Sequence, residues 1–123
     1  MSRADLEHAA DLLARAVDNA TPGPWRDSLV DGNRYRALVS DRPHPDRPNG
    51  WGWEYQEGYG GYLVAESLTD QDRRLLAVMR NTSQHLPRLL WAVAAEDPIE
   101  VGRHAREIAA AVLATHRPRP GRG

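Results

Sequence analysis

The sequence predicts an α+β domain: an N-terminal helix, a three- to four-stranded antiparallel sheet, then two or three C-terminal helices. Three observations carry this. Residues 3–20 repeat apolar side chains at helical spacing and stop at Thr21-Pro22-Gly23-Pro24. Residues 25–66 show alternation, glycines and proline punctuation instead. From Thr69 onward the helical period returns. A chain of 123 residues suits one domain, expected over 1–116, with 117–123 as a disordered basic tail.

Ser2 is the expected N-cap of the first helix, with Asp5 three residues on to complete a capping box. Leu6, Ala9, Leu12 with Leu13, Ala16, Val17 and Ala20 are its apolar stripe. Pro22 and Pro24 end it, because proline lacks the helical donor and fixes φ. Trp25 restarts the chain in an extended conformation. Residues 25–40 then predict a hairpin turned at Asp31-Gly32-Asn33. Its second arm puts Tyr35, Ala37 and Val39 on one face and Arg34, Arg36 and Leu38 on the other.

Residues 41–50 hold three prolines and the turn pair Asn49-Gly50, which predicts a long exposed loop. Strands are expected at 51–57 and 61–66, joined by the turn Gly58-Tyr59-Gly60-Gly61. The connections are too short for crossovers, so the order should be sequential and antiparallel.

Thr69 is the expected cap of the next helix, with Asp72 three residues later and Leu75, Leu76, Val78 and Met79 inside. Arg80-Asn81-Thr82-Ser83 predicts a break or kink. Ser83 and Pro87 then suit the start of a helix through Leu86, Leu89, Leu90, Trp91, Val93 and Ala94. Asp97-Pro98-Ile99-Glu100 is a strong start signal for the last helix: cap, proline at the first helical position, glutamate at the third. It should run to about His116 with Val101, Ile108, Val112 and Leu113 inward. The first and later helices are expected to cover one face of the sheet.

Composition removes several chemistries. Without cysteine there is no disulfide, thiolate nucleophile or cysteine-bound metal. All 16 basic residues are arginine, so neither a Schiff base nor a P-loop lysine can form. A net charge of −1 argues against non-specific nucleic-acid binding. No apolar run approaches the roughly 20 residues a membrane span needs. The N-terminus lacks a secretory layout, and a cytoplasmic location is expected. The five histidines show no metal-ligand spacing, and neither a metal nor a cofactor is expected. No nucleophile elbow, Walker loop or dinucleotide fingerprint is present, and no catalytic residue is assigned.

The best site candidate is the aromatic-glycine block from Trp51 to Tyr62. Trp51, Trp53 and Tyr55 share a strand face at period two, and Tyr59 and Tyr62 follow. Such rings can stack on a base, a sugar or a partner's side chain, or they can be core. Glycines between them allow a backbone or a flat ligand to approach. Arg34, Arg36, Arg42 and Arg47 flank the block and suit an anion held by bidentate contacts; a solvated strand face is the plainer reading.

Two stretches also resemble a known group. The chain carries Ala20-Thr21-Pro22-Gly23-Pro24-Trp25 after its first helix. It also carries Asp72-Arg73-Arg74-Leu75-Leu76-Ala77-Val78-Met79-Arg80-Asn81 and then Leu86-Pro87-Arg88-Leu89-Leu90. These are similar to motifs of small proteins of phages, prophages and actinobacteria, the Ead/Ea-type early accessory proteins. The spacer Thr82–His85 is longer than that pattern, and the aromatic centre and final helix are not part of it. The resemblance implies a mobile-element setting and no mechanism.

The expected function is therefore a small non-enzymatic binding protein. It would contact a host protein or a small-molecule ligand through Trp51, Trp53, Tyr55, Tyr59, Tyr62, Arg34 and Arg36, with the 41–50 loop beside them. A homodimer is expected, since a spare aromatic face and a leucine-rich helix pair give surface to hide. One alternative is an enzyme acting on a nucleotide or sugar through Glu54 or Glu66. Another is a DNA-binding regulator, although the 84–95 helix is too apolar to face a groove.

Overall fold

The structure is a computed structural model that describes residues 1–28, 37–51 and 59–115. It is α+β: helix α1 (Arg3–Asn19), strands β1 (Trp25–Asp27), β2 (Ala37–Ser40) and β3 (Tyr62–Glu66), then helices α2 (Asp70–Ser83), α3 (Leu86–Ala94) and α4 (Pro98–Thr115). The strands form an antiparallel sheet in the order β1-β2-β3. Of the expected strand at 51–57, Trp51 lies in a turn and residues 52–57 are outside the described residues, as are the hairpin turn at Asp31-Gly32-Asn33 and the tail at 117–123.

Local chemistry sets the helix starts. The Asp5 N–H donates to Ser2 Oγ (3.1 Å) and the Ser2 N–H to Asp5 Oδ2 (3.0 Å), a complete capping box. Thr69 Oγ1 accepts from the Asp72 N–H at 3.1 Å. Asp97 Oδ1 accepts from the Glu100 N–H at 3.1 Å, with Pro98 opening α4.

Other expectations shift. In α1 the inward line is Leu6, Ala10, Leu13, Val17 and Ala20, while Ala9, Leu12 and Ala16 are exposed. The stripe is rotated by one residue because α1 packs mainly on α3 rather than on the sheet. Both helices carry buried alanines (Ala10 on α1; Ala92 and Ala94 on α3). No break occurs at 80–83. Thr82 Oγ1 donates to the Val78 carbonyl (2.9 Å) and Ser83 Oγ to the Arg80 carbonyl (2.7 Å), so both hydroxyls stay within α2. The cap of α3 is His85, not Ser83. Leu113 is exposed near the end of α4.

Register explains the layers. Trp25, Ser40 and Tyr62 form one cross-strand row, Arg26, Val39 and Leu63 the next. Leu38 pairs with Ala65 while Val39 pairs with Leu63, so Val64 is the extra residue of a bulge in β3. Asp27, in the Leu38 row, meets α2: Arg73 Nε lies 3.0 Å from Asp27 Oδ1. Arg73 is buried, and its Nη1 also donates to the Leu68 carbonyl (2.6 Å) while Nη2 reaches Asp70. The opposite face carries a core of Ala37, Val39 and Tyr59 with Leu63.

Every residue of β2 is 0% exposed. The alternation of polar and apolar faces expected there fails at Leu38, because α2 covers that side. The other side is covered by the 59–61 segment. A Cβ on Gly61 would stand 3.0 Å from the Ser40 carbonyl oxygen and 3.2 Å from Val39 Cβ. The close approach foreseen for these glycines is thus made by the protein's own strand.

Candidate functional site

The two motif segments quoted above meet in space. Asn81 Oδ1 accepts from the Trp25 N–H (2.7 Å), and Asn81 Nδ2 donates to the Trp25 carbonyl (3.1 Å). The amide thereby acts as a one-residue strand partner for Trp25. Nδ2 also donates to Thr115 Oγ1 (2.9 Å), which ties in α4. Arg80 Nε donates to the Thr21 carbonyl (3.1 Å) and Nη2 to the Val17 carbonyl (3.4 Å). Helix α1 has no basic residue in its last turn, so Arg80 supplies the missing cation from α2. Burial holds the Arg80 guanidinium below its usual pKa; the Arg42 charge adds to this and Asp18 opposes it. Ser40 Oγ donates to the Pro22 carbonyl (2.6 Å), and Arg42 donates to the Gly23 carbonyl. All of this is joinery between α1, β1 and α2.

The cleft lies beside that joint. It has a volume of about 350 Å³ and is lined by Thr21, His44, Asp46, Arg47, Gly50, Trp51, Tyr62, Leu63 and Val64. The 41–50 loop forms one wall and the bulged strand β3 the other. Loop shape comes from local bonds: the Arg47 N–H donates to the His44 carbonyl (2.9 Å) and the Gly50 N–H to the Arg47 carbonyl (2.8 Å), with Gly50 at φ 62°. His44 Nδ1 accepts from the Asp46 N–H at 3.0 Å, which leaves Nε2 as the protonated nitrogen, 2.8 Å from the Asn19 carbonyl oxygen. With both nitrogens engaged, His44 anchors the loop to the end of α1. The Arg47 guanidinium lies 3.8 Å from the Trp51 ring centroid, a cation–π contact inside the cleft.

The predicted site residues divide. Trp51 is 54% exposed and Tyr62 half-buried, and both line the cleft. Tyr59 is only 9% exposed and belongs to the core, its hydroxyl donating to Glu66 Oε2; it is not a contact residue. Trp53, Tyr55, Arg34 and Arg36 lie outside the described residues, as does Glu54. Arg42 is engaged with Gly23, so of the loop arginines Arg47 is the one that reaches the cleft.

Spacing along the chain hid one cluster. His85 Nδ1 and His104 Nδ1 each lie 3.3 Å from Glu107 Oε2, and His104 Nε2 lies 3.4 Å from Glu100 Oε2. His104 and Glu107 sit three residues apart on α4, but His85 comes from the start of α3 and carries no local signal. The hydrogen bond from His104, more than its charge, holds the Glu107 carboxyl below the usual carboxylate range; His85 and Arg103 add to this. No group of three or more histidine, aspartate or glutamate side chains among the described residues is arranged to hold a metal ion. Nor, among them, is any helix long and apolar enough to cross a membrane.

Comparison with known proteins found no matching family model, no matching curated protein and no matching solved structure.

Proposed function

We propose that this is a small non-enzymatic binding protein that contacts a host protein or small ligand through the cleft between the 41–50 loop and β3. One observation carries the reading. Trp51, more than half exposed, and Tyr62 stand on the two walls of one cleft with the loop that sequence placed beside them. An indole left this open costs solvation free energy that a bound partner recovers. The phage or mobile-element accessory setting rests on the sequence resemblance of the two motif segments.

The homodimer belongs to the same proposal. Leu75 and Met79, 58% and 55% exposed, lie one turn apart on α2. Replacing both with glutamate should convert a dimer to a monomer in sedimentation equilibrium; an unchanged mass removes this face as the interface.

The main test is capture from a host-cell extract, with mass spectrometry of captured proteins and of co-purifying small molecules. Trp51→Ala should keep the parent's urea midpoint and lose the captured species. Retention of the same species, or loss of the fold, would overturn the reading.

A further inference from the structure

We propose that the cleft takes a small organic anion built on a flat ring, with Arg47 holding the anionic group and Trp51 the ring. The proposal rests on the binding reading above and names its ligand class. The other arginines of this region are occupied by protein acceptors. Arg26 donates to Asp41 and to the Gly60 carbonyl. Arg42 donates to the Gly23 carbonyl, Arg73 to Leu68 and Asp70, and Arg80 to Thr21, Val17 and Ser83. Arg47 differs: among the described residues its guanidinium meets no carboxylate or carbonyl, only the Trp51 ring. A cation–π contact draws on the charge and leaves the planar fork of N–H donors for a carboxylate or phosphate.

The surroundings fit an anion carrying a ring. Trp51 remains 54% exposed with Arg47 against it, so indole surface is left for stacking. Tyr62 supplies a second ring from β3. Asp46 is the opposing charge at the rim, but its side chain is 94% exposed and screened by water. The volume of about 350 Å³ matches small-ligand sites, which start near 300 Å³. A nucleoside monophosphate and an aromatic carboxylate share this chemistry, and the probes separate them.

The experiment is calorimetric titration of the full chain with adenosine monophosphate, adenosine, inorganic phosphate, benzoate and cyclohexanecarboxylate. Adenosine monophosphate should bind at least tenfold more tightly than adenosine and inorganic phosphate, or benzoate at least tenfold more tightly than cyclohexanecarboxylate, whose ring is not flat; tenfold corresponds to about 1.4 kcal/mol. Which of the two binds identifies the source. Arg47→Gln should weaken that binding about tenfold, and Arg47→Lys should restore part of it, since lysine keeps the charge and loses the fork. Arg47 is exposed, so both variants should keep the parent's urea midpoint. Equal affinity for adenosine and adenosine monophosphate, with Trp51→Ala abolishing both, would overturn the anion assignment and leave the cleft as the binding site. Failure of both adenosine monophosphate and benzoate to bind, or an Arg47→Gln variant that binds like the parent, would also overturn it. Failure of the binding reading itself shows separately, as capture that Trp51→Ala does not change.

Discussion

Asn81→Ala tests the joint on which the cleft is mounted. The side chain makes three hydrogen bonds: from the Trp25 N–H, to the Trp25 carbonyl and to Thr115 Oγ1. At a net value of about 1 kcal/mol each, their sum is about 3 kcal/mol. Trp25 is half-buried, so water replaces part of what is lost and the expected cost is about 2–3 kcal/mol. That is a large share of the roughly 5–15 kcal/mol that holds a domain together. With a urea slope of about 1–3 kcal/mol/M, the midpoint should fall by about 0.7–3 M with the slope unchanged. Thr115→Val removes one of the three bonds and should cost about 1 kcal/mol. The double variant should then lose less than the sum of the singles, because the Asn81–Thr115 bond is counted in both. A loss below about 0.5 kcal/mol for Asn81→Ala, or strict additivity of the pair, would refute the clasp.

Other positions make sharper or smaller demands. Arg73→Met strips the buried cation from Asp27 and should cost about 2–4 kcal/mol in urea unfolding, toward the low side because Asp27 keeps some access to water. A loss under about 1 kcal/mol would mean the pair contributes little. Gly61→Ala places a methyl against the Ser40 carbonyl and Val39, and should cost about 1–3 kcal/mol by the same measurement; a neutral result would show that the 59–61 segment does not press on β2. The Glu107 carboxyl titrates below the usual carboxylate range in the folded protein. Its contribution is therefore complete above that range and disappears as pH falls through the lowered value. Glu107→Gln should flatten that acid limb of the urea midpoint against pH, leaving a residual slope from Asp5, whose carboxyl is lowered by its hydrogen bonds with Ser2. An unchanged acid limb would remove the His85–Glu107–His104 cluster as a stabilising element.

What was legible in the sequence was local. Ser2 with Asp5, Thr69 with Asp72 and Asp97 with Pro98 each announce a helix start within four residues, and all three hold. Sequential strand order followed from short connections. What was not legible was long-range. Asn81 and Trp25 are 56 residues apart, and nothing near either one signals the other. The same applies to Arg80 and the end of α1, which is why 80–83 read as a break: polar side chains that leave the helix for distant partners look locally like helix breakers. The one-residue rotation of α1 has a similar origin, since Leu12 and Leu13 fit the period equally well until α3 selects between the two sides.

The loop wall of the cleft was legible for the same reason. Arg47, Gly50 and Trp51 lie within one loop, so their proximity is local. Tyr59 shows the limit. Its composition matched that of the cleft aromatics, but its place against Val39 and Ala37 follows from the approach of the 59–61 segment to β2.

The four tryptophans offer the most direct test of the cleft. Their indole N–H groups give separate signals in a proton–nitrogen correlation spectrum. Trp25 Nε1 donates to the Thr21 carbonyl and Trp91 Nε1 to Asp11, so these two report on the framework. On addition of the species that co-purifies with the protein, the Trp51 indole and the Gly50 amide should shift while Trp25 and Trp91 stay in place. Shifts concentrated on Trp25 or Trp91, with Trp51 unmoved, would contradict the proposed binding site.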